Sequence, residues 1–484
     1  MGRYSVPESI RRQKPKGTMV KNISGYYYVY EYKSVKGDNG ERRTQMGKLI
    51  GSIKPGIGFV PNSSFLCDSE ISTLEFGEYA VTLANSQKTL ALLRGCFNPE
   101  DALSIYVVSM IHFIQGFTYM KDIQSYYDMS YLSIKYPSLK LGYESLSSLY
   151  DSLGRRQGSV IKMEENLVAA SSGQVAIDGH VIGCVSDEND LAAKGYKFRK
   201  IGEPQINLLM AYDINTGTPL LSRIYEGASI DKVSVKDLMH QVEFRNILFV
   251  VDRGFYSVEN LKLFSSNGNS YIIPLGKNIT ACKKAVSSLE MTGRFMYQQG
   301  RKASVVEYKD EIIDGNRVIT YKDLNESAAE QANYLRHMEM GDKAYTQEGF
   351  DKFKDFMGVT ILQTSIKDKT PQEIYEIYKK RWTIETYYNY FKNKADYGSL
   401  YQQDYYKTQG LAFIMLVSSL IRKEFEDAVK AVKGKSAQDC LLDARMVKAD
   451  KRRGVWAVCN CRKKQVELFK LLNTSLAVEI EQHT

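Results

Sequence analysis

The segment NILFVVDRGFYS, residues 246–257, restricts the fold of this chain more than any other stretch of the sequence. Its apolar run has no alternating polar positions, so it predicts a strand that is buried on both faces. Such strands belong to parallel sheets that helices cover on both sides. The run ends at Asp252 and Arg253. Since ligand sites in open sheets lie at the carboxyl ends of strands, the segment predicts an α/β core with a polar site there.

The elements around this strand follow a defined order. QVAIDGHVIG, 174–183, predicts a strand, and QINLLMAYDINTGTPLLSRIY, 205–225, predicts two strands joined by an INTG turn. A helix is expected over 232–244, a second helix over 257–266, and a strand in the following SYIIPL. This order is that of a ribonuclease H-like core: three antiparallel strands, a helix, a parallel strand, a helix and a strand. We therefore expect a mixed five-stranded sheet with helices.

Changes in pattern along the chain predict six segments. The core is divided by a mainly β insertion that contains strand-like pieces such as KASVVEYKDEI. A β-hairpin is expected in GYYYVYEYKSVKGDNGERRTQMGKLIG near the N-terminus. The predicted segments are a basic segment with this hairpin at 1–65, a helical DNA-binding region at 66–170, the first part of the core at 171–275, the insertion at 276–370, the second part of the core at 371–425, and a basic helical C-terminal region at 426–484.

Positive charge is concentrated near both ends of the sequence. Residues 1–60 hold 12 basic and 4 acidic side chains, and residues 445–464 hold 8 basic side chains against Asp450 alone. Two interpretations remain open, namely solvated tails and non-specific contact with phosphates. Outside the core, the best candidates for contact with a DNA backbone lie in KADKRRGVW and are Lys451, Arg452 and Arg453.

Cysteine and histidine content bears on metal binding and location. The seven cysteines form no C-x-x-C pair and only five histidines are present, so a structural zinc site is not expected. The odd cysteine count and the absence of an N-terminal signal peptide predict a cytoplasmic protein. The apolar run LAFIMLVSSLI, 411–421, is too short to span a bilayer, and we interpret it as a buried helix without a membrane role.

The segment YKKRWTIETYYNYFKNK, 378–394, predicts a helix with an unusual polar stripe. At roughly 100° per residue, Tyr378, Arg381, Glu385 and Lys392 all fall within about 60° of one another. A carboxylate flanked by a phenol, a guanidinium and an ammonium group suits a metal-bound phosphate. The alternative is an ordinary i,i+4 ion pair between Arg381 and Glu385.

Two further acids lie on predicted core strands. Asp178 is in the middle of the first strand, and Asp252 ends the parallel strand. If the strands are neighbours about 4.8 Å apart, both carboxylates can face one end of the sheet, with Glu385 as a third acid. Clustered carboxylates repel one another, and oxygen ligands favour Mg²⁺ or Mn²⁺. Taken singly, Asp178 could instead form a local turn or bulge, and Asp252 could cap its strand.

These motifs resemble those of the DDE transposases of bacterial insertion sequences, specifically the insertion-sequence-four-like superfamily. The family's third-acid helix reads Y, two residues, R, three residues, E, six residues, K. Tyr378, Arg381, Glu385 and Lys392 match all four positions. FVVDRGFYS resembles the family's second-acid segment, and AIDGH holds the first acid. The resemblance covers roughly residues 174–425.

The resemblance implies a DNA transposase that cleaves the ends of its insertion sequence and joins the 3′-hydroxyls to target DNA. It implies that Asp178, Asp252 and Glu385 bind two Mg²⁺ ions, with Mn²⁺ as a substitute, for phosphodiester hydrolysis and transesterification. The implied partners are double-stranded DNA, as terminal inverted repeats and target, and a second copy of the chain in a homodimer. The alternatives are a catalytically inactive DNA-binding repressor and a ribonuclease H-like nuclease without strand transfer.

The resemblance also implies roles for the companion residues. Arg381 and Lys392 would contact phosphates near the cleaved bond, and Tyr378 would orient the backbone there. Arg253 would either pair with a phosphate or neutralise Asp252.

In some relatives, a flipped base stacks on a tryptophan of the insertion during DNA hairpin formation. This sequence differs from them in the positions of its tryptophans. The two tryptophans here, Trp382 and Trp456, lie outside the predicted insertion. A tyrosine such as Tyr297 or Tyr308 would have to take that place.

Overall fold

The computed structural model describes most of the chain, which divides into two compact units, Met1–Thr73 and Leu74–Thr484. The described residues are 6–36, 41–62, 73–184, 191–194, 204–229, 231–276, 279–286, 290–382, 399–400, 404–452 and 455–479.

The first unit is an antiparallel sheet with one short helix. Its strands are adjacent in chain order: β1 (Thr18–Ile23), β2 (Tyr26–Lys36), β3 (Arg42–Lys54) and β4 (Gly58–Pro61). Helix α1 (Glu8–Arg11) places Ile10 in a small core with Val29, Ile50 and Ile53. Both strands of the predicted hairpin are present as β2 and β3, and the GDNG turn at 37–40 lies outside the described residues.

The second unit begins with helices that pack on one long C-terminal helix. The first of these helices are α2 (Gly77–Ala84), α3 (Gln87–Cys96), α4 (Pro99–Gln115), α5 (Met120–Asp128), α6 (Leu132–Lys135), α7 (Tyr143–Arg155) and α8 (Gln157–Ala169). Of these, α3, α4 and α7 pack on α15 (Tyr405–Val429), in which residues 411–421 are all buried, as the apolar run predicts. Among the described helices, none by itself is long and apolar enough to cross a membrane.

A large mixed sheet forms the centre of this unit. Eleven strands belong to it within the described ranges: β6 (Gln174–Cys184), β7 (Ala193–Lys194), β8 (Pro204–Asp213), β9 (Thr218–Glu226), β10 (Leu248–Val251), β11 (Ser270–Pro274), β12 (Gly293–Gln299), β13 (Lys302–Ile313), β14 (Asn316–Asp323), β15 (Val359–Thr364) and β16 (Ser399–Leu400). The main path runs β12-β13-β14-β15-β11-β10-β6-β8, with β7 and β9 paired to β8 and β16 paired to β6.

The predicted strands and helices of the core are observed in the predicted order. Strands β6, β8 and β9 are antiparallel, and β10 and β11 run parallel to β6. Helix α9 (Asp231–Gln241) precedes β10, and α10 (Val258–Phe264) precedes β11. Core residues cover both faces of these strands. The mixed α/β architecture expected from the apolar strand is therefore confirmed.

The segment predicted as an insertion differs from the expectation in two ways. Its strands extend the central sheet, because β15 pairs with both β11 and β14. It is also less purely β than expected, since it contains helices α11 (Thr280–Val286), α12 (Leu324–Glu339) and α13 (Gln347–Phe353). Without a neighbour, the outer edge of β11 would expose backbone N–H and C=O groups. Pairing with β15 satisfies these groups with hydrogen bonds.

The C-terminal segment differs from the predicted all-helical region. Helix α14 (Pro371–Lys380) precedes this segment and belongs to the second part of the core. Within 426–484, helices α16 (Ala437–Arg445) and α17 (Lys463–Leu471) are present, but the basic run forms a hairpin. Its strands, β17 (Lys448–Arg452) and β18 (Val455–Cys459), make a three-stranded sheet with β5 (Thr73–Glu75). Ala449 is fully buried in β17, so one face of this charged strand is anchored in the core.

Candidate active site

Asp178 and Asp252 lie side by side on neighbouring strands. β10 pairs in parallel with β6, and the last pair in register joins Val251 to Ile177. Each aspartate is the next residue along its strand. Because neighbouring strands lie about 4.8 Å apart, the two acids occupy the same level of the sheet.

The two acids also fall on the same face of the sheet. On β6, Ala176 contributes to the larger hydrophobic core and Ile177 to the core on the opposite face. On β10, Val250 and Val251 divide between the two cores in the same way. Side chains alternate along a strand, and Asp252 keeps an extended backbone. Both carboxylates therefore face the side of the larger core, to which α14 also contributes.

The level of the acids is also where the sheet opens to solvent. Residues of both strands are buried up to Ile177 and Val251, whereas Asp178 and Asp252 are partly exposed. β6 next pairs on this side at Gly183, with β16. Among the described strands, none lies beside β6 between these two pairings.

Backbone groups hold one oxygen of each carboxylate. Oδ1 of Asp178 accepts a hydrogen bond from the Gly179 N–H at 2.9 Å, and Oδ1 of Asp252 accepts one from the Arg253 N–H at 2.8 Å. Asp252 thereby caps a 3₁₀ turn, Arg253–Phe255. The local capping role that the sequence suggested for Asp252 thus coexists with its position at the strand end.

Helix α14 carries Tyr378 to this edge. The helix starts at a capping box, in which Thr370 and Glu373 satisfy each other's backbone N–H groups, with Pro371 in the first turn. Tyr375 is buried, and its hydroxyl donates to Asp323 Oδ2 at 3.0 Å. These contacts fix α14 against β14, so the position of Tyr378 is set by a rigid element.

Tyr378 and Arg381 form a cationic and aromatic pair next to Asp252. The Arg381 guanidinium lies 5.8 Å from the centre of the Tyr378 ring. Burial raises the pKa of the Tyr378 hydroxyl; Arg381 opposes this shift and the Asp252 charge adds to it. Arg381 is only 6% exposed, and its buried Nε has no hydrogen-bond partner among the described residues.

Helix α14 carries Tyr378, the first residue of the predicted stripe, and its last turn is tightened. It ends at Lys380, after which the N–H groups of Arg381 and Trp382 bond three residues back, to Tyr378 and Lys379. Such bonds tighten the last turn of a helix and end its regular spacing. Arg381 keeps a right-handed helical backbone at the C-cap, and the rest of the predicted helix, after Trp382, lies outside the described residues.

Glu385 and Lys392 lie outside the described residues, in 383–398. Among the described residues, no group of three or more His, Cys, Asp or Glu side chains forms a metal site. The described part of the candidate site therefore consists of two acids, a tyrosine and an arginine.

A cleft of about 480 Å³ opens beside Asp252. Arg253 and Tyr378 share its polar end with Asp252, and Arg253 is exposed. Phe353 and Phe356 line its apolar side and are 43% and 41% exposed. Sequence reasoning missed these phenylalanines; the only available signal was their three-residue spacing in FDKFKDF, which also fits ordinary packing.

The two tyrosines proposed as base-stacking residues pack against other aromatic rings. The ring of Tyr297 stands nearly perpendicular to that of Tyr375, with centres 5.2 Å apart. Tyr308 packs on Phe295 at 6.0 Å. Both are partly buried, whereas the aromatic rings exposed in the cleft are those of the two phenylalanines.

The basic hairpin belongs to a different part of the second unit. Lys451 is partly exposed in β17, opposite Trp456, in the three-stranded sheet and not in the central one. Arg452 ends β17, but its side chain and Arg453 lie outside the described structure. Lys451 therefore belongs to a different sheet from the two acids. His180 does lie near that site, two residues beyond Asp178 and partly exposed.

The geometry by itself defines a class of site. Two carboxylates at one level of a mixed sheet supply hard oxygen ligands suited to a divalent cation. A neighbouring arginine suits a phosphate oxygen. Such a site fits an enzyme that acts on a phosphodiester.

Comparison with known families gives the class a name. The sequence matches the family model described as "Transposase DDE domain" over residues 170–420, which is more than half of the 484 residues. The protein belongs to this transposase family.

Comparison with individual proteins adds one structural likeness. No curated protein matches the sequence. A solved structure described as "Cryo-EM structure of piggyBac transposase synaptic complex with hairpin DNA" is 11% identical, with 76% of this chain and 77% of that chain covered and a TM-score of 0.38. At that identity and TM-score, the similarity does not indicate this protein's function.

Proposed function

We propose that this protein is a DNA transposase that cleaves the ends of its insertion sequence and joins the 3′-hydroxyls to target DNA. One observation carries the proposal: Asp178 and Asp252 occupy the same level and the same face of adjacent parallel strands. Membership of the transposase family supports it. The strand order β9-β8-β6-β10-β11, with its two parallel additions, supports a ribonuclease H-like core.

We infer that Glu385 is the third acid, within the Y-R-E-K pattern of the insertion-sequence-four-like superfamily. Its segment leaves the described structure after Trp382, close to the Tyr378–Asp252 contact. The chain returns at β16, which pairs with β6 only five residues beyond Asp178, at Gly183. Both ends of the segment therefore lie beside the acid-bearing strands, which supports a place for Glu385 in the site.

The donor set fits the metal that the family implies. Asp178, Asp252 and Glu385 would hold two Mg²⁺ ions, for which Mn²⁺ can substitute, because carboxylate oxygens are the preferred ligands of both. Bound there, the ions would supply charge stabilisation to the attacking and leaving oxygens of the phosphodiester.

The remaining residues would bind and orient the DNA. Arg381 directs a buried donor that has no partner among the described residues, which suits a phosphate oxygen beside Asp252. Arg253, exposed in the same cleft, would contact a second phosphate, and Lys392 would contact the cut end. Tyr378 would restrict the orientation of the DNA backbone. We further propose that two copies of the chain hold paired DNA ends, as the family implies.

The test uses purified protein and a DNA fragment that holds its own gene with several hundred base pairs on each side. The proteins are wild type, Glu385→Gln and the control Glu376→Gln, which changes a partly exposed glutamate on α14 bonded to Gln372. New 3′ ends are mapped after incubation with Mg²⁺ or Mn²⁺. We expect paired breaks that flank the gene with wild type and Glu376→Gln, and none with Glu385→Gln.

Other outcomes separate the alternatives. Sequence-specific binding without breaks, in every protein and with either metal, would replace the proposal with a repressor. Breaks that never lead to joined products would indicate a nuclease without strand transfer. Undiminished cutting by Glu385→Gln would remove Glu385 from the site.

A further inference from the structure

Four tyrosines lie along one face of the N-terminal sheet. They are Tyr26, Tyr28, Tyr30 and Tyr32, at every second position of β2. The small core uses the alternate residues, since Tyr27 and Val29 pack there with Ile10. Because side chains alternate along a strand, the four tyrosines share the opposite face. Tyr26 is 69% exposed and Tyr32 is 41% exposed.

The neighbouring strands enlarge this face, which we call the tyrosine face and define by the four tyrosines with Met19, Lys21, Ile23 and Met46. Residues directly opposite each other on paired strands point to the same side. On β1, Met19, Lys21 and Ile23 lie opposite Tyr30, Tyr28 and Tyr26. On β3, Met46 lies opposite Tyr32.

The charge around the tyrosine face is positive. Lys21 is exposed in the middle of it. Arg42, exposed on β3, precedes Met46 by four positions and therefore points to the same side. The described part of the unit holds three acids. Glu31 falls on the opposite face by alternation, and Glu8 lies on α1, which packs there through Ile10. Glu41 precedes β3 and pairs with Arg43, the neighbour of Arg42. The face thus combines exposed aromatic rings with basic side chains.

We propose that the tyrosine face binds unpaired nucleic acid, with bases stacked on the tyrosines and the backbone held by Lys21 and Arg42. Aromatic rings stack on any base, and basic residues along a groove track the phosphates. Duplex DNA conceals the faces of its bases, so it could use the basic residues but not the rings. Alternate residues on a strand lie about 6.8 Å apart, roughly twice the 3.4 Å rise of a duplex, which suits an extended single strand.

The proposal is separate from the cleavage chemistry. It rests on residues of the first unit alone, and its ligand needs no metal. Binding measured in EDTA therefore tests the tyrosine face even if the proposed transposase activity fails, and cutting can persist if the tyrosine face fails.

The experiment measures binding of the full chain to fluorescently labelled oligonucleotides by anisotropy, in EDTA. The probes are a 20-nucleotide oligo-dT, the equivalent oligo-rU and a mixed-sequence blunt duplex of equal length. The variants replace Tyr26 and Tyr32 together by Phe, Leu or Ala. The matched control is Tyr143→Ala, which removes a tyrosine that is 61% exposed on α7 in the second unit.

We expect tighter binding to oligo-dT than to the duplex. The Ala and Leu variants should lose roughly 5-fold or more of this affinity per tyrosine, whereas the Phe variant should stay within about 2-fold of wild type. Lys21→Gln should lower the slope of log affinity against log salt by roughly 0.7. Oligo-rU binding as tight as oligo-dT would make RNA an equal ligand of the same surface.

Three results would overturn the proposal. The first is duplex binding as tight as oligo-dT binding, which would reduce the face to a phosphate-binding surface. The second is an Ala variant that binds oligo-dT like wild type. The third is a change of oligomeric state on sedimentation in the Ala variant, with oligo-dT affinity preserved, since the face would then bind another copy of the chain. The Leu and Phe variants keep the test valid if the Ala variant folds poorly.

Discussion

Two carboxylates of the second unit, Glu164 and Asp252, occupy opposite electrostatic settings. Glu164 on α8 is fully buried, and both of its oxygens accept hydrogen bonds from Arg223 of β9, at 2.5 Å each. Asp252 is partly exposed at a cleft, and among the described residues its recorded hydrogen bond comes from the Arg253 backbone.

The difference separates a structural acid from a candidate ligand. A buried carboxylate is stable only when a protein cation and donors compensate it, and the α8–β9 junction supplies both. At the β6–β10 edge, two carboxylates lie on adjacent strands, an arrangement that a divalent cation would stabilise. We therefore expect changes at Glu164 to affect stability and changes at Asp252 to affect chemistry.

The largest expected effect is on cleavage by Asp252→Asn. Asparagine keeps an acceptor for the Arg253 N–H but removes the charge that holds a cation, so strand cleavage should fall by about 10³-fold or more. Thermal stability should remain within about 1 kcal/mol of wild type. The control is Asp314→Asn, at an exposed turn residue with positive φ that pairs with Lys284. Cleavage by Asp252→Asn within 10-fold of wild type would contradict the assignment.

Glu164→Gln should have the reverse profile. It leaves the Arg223 guanidinium buried without its ionic partner, which costs about 3–5 kcal/mol. Thermal unfolding should show this loss, while cleavage per folded molecule stays unchanged. Replacing Glu164 by Leu and Arg223 by Met together should recover most of the stability, because no uncompensated charge remains. A Glu164→Gln variant as stable as wild type would contradict the structural role assigned to Glu164.

His112 extends the comparison to a buried group without an ionic partner among the described residues. Burial lowers its pKa to about 4, whereas in the unfolded chain it titrates near 6.5. The unfolded state therefore takes up the proton first as the pH falls. The full contribution of the neutral imidazole to the free energy of unfolding is therefore present above pH 6.5. About 3 kcal/mol of that free energy is lost as the pH falls from 6.5 to 4.

The check is unfolding as a function of pH for wild type and His112→Gln. Glutamine can still accept from the Thr118 N–H and contact the Tyr150 hydroxyl, the two partners of the imidazole. The difference in stability between the two proteins should depend on pH in that window. A constant difference would show that His112 does not titrate there.

Cation binding should produce the smallest shift. With Ca²⁺ at about one hundred times its dissociation constant, the wild type should gain roughly 2–3 kcal/mol of stability through ligand linkage. Asp252→Asn should gain much less, and Glu164→Gln should gain as much as wild type relative to its own lower starting point. Equal shifts in all three proteins would place the cation elsewhere.

The sequence predicted the strands that carry the acids because their signals are local. An unbroken apolar run means burial on both faces, and the INTG turn between β8 and β9 has Gly217 at a φ of +76°. It could not predict that β15 would extend the core sheet, since strand pairing joins residues far apart in the chain. Nor did it find Phe353 and Phe356, whose spacing does not distinguish a cleft wall from a core.

By itself, the sequence indicated the candidate residues for the chemistry: two aspartates at predicted strand positions, and a Tyr, Arg, Glu and Lys set at fixed spacings. Only the tertiary structure decided that Asp178 and Asp252 share one level and one face, because a shift of one residue in the β6–β10 register would turn one acid away from the other. It also ended α14 at Lys380, where hydrogen bonds to residues three back replace the regular ladder. Spacing along the chain fixes periodicity within an element, whereas register and helix ends depend on contacts that the chain makes after it folds.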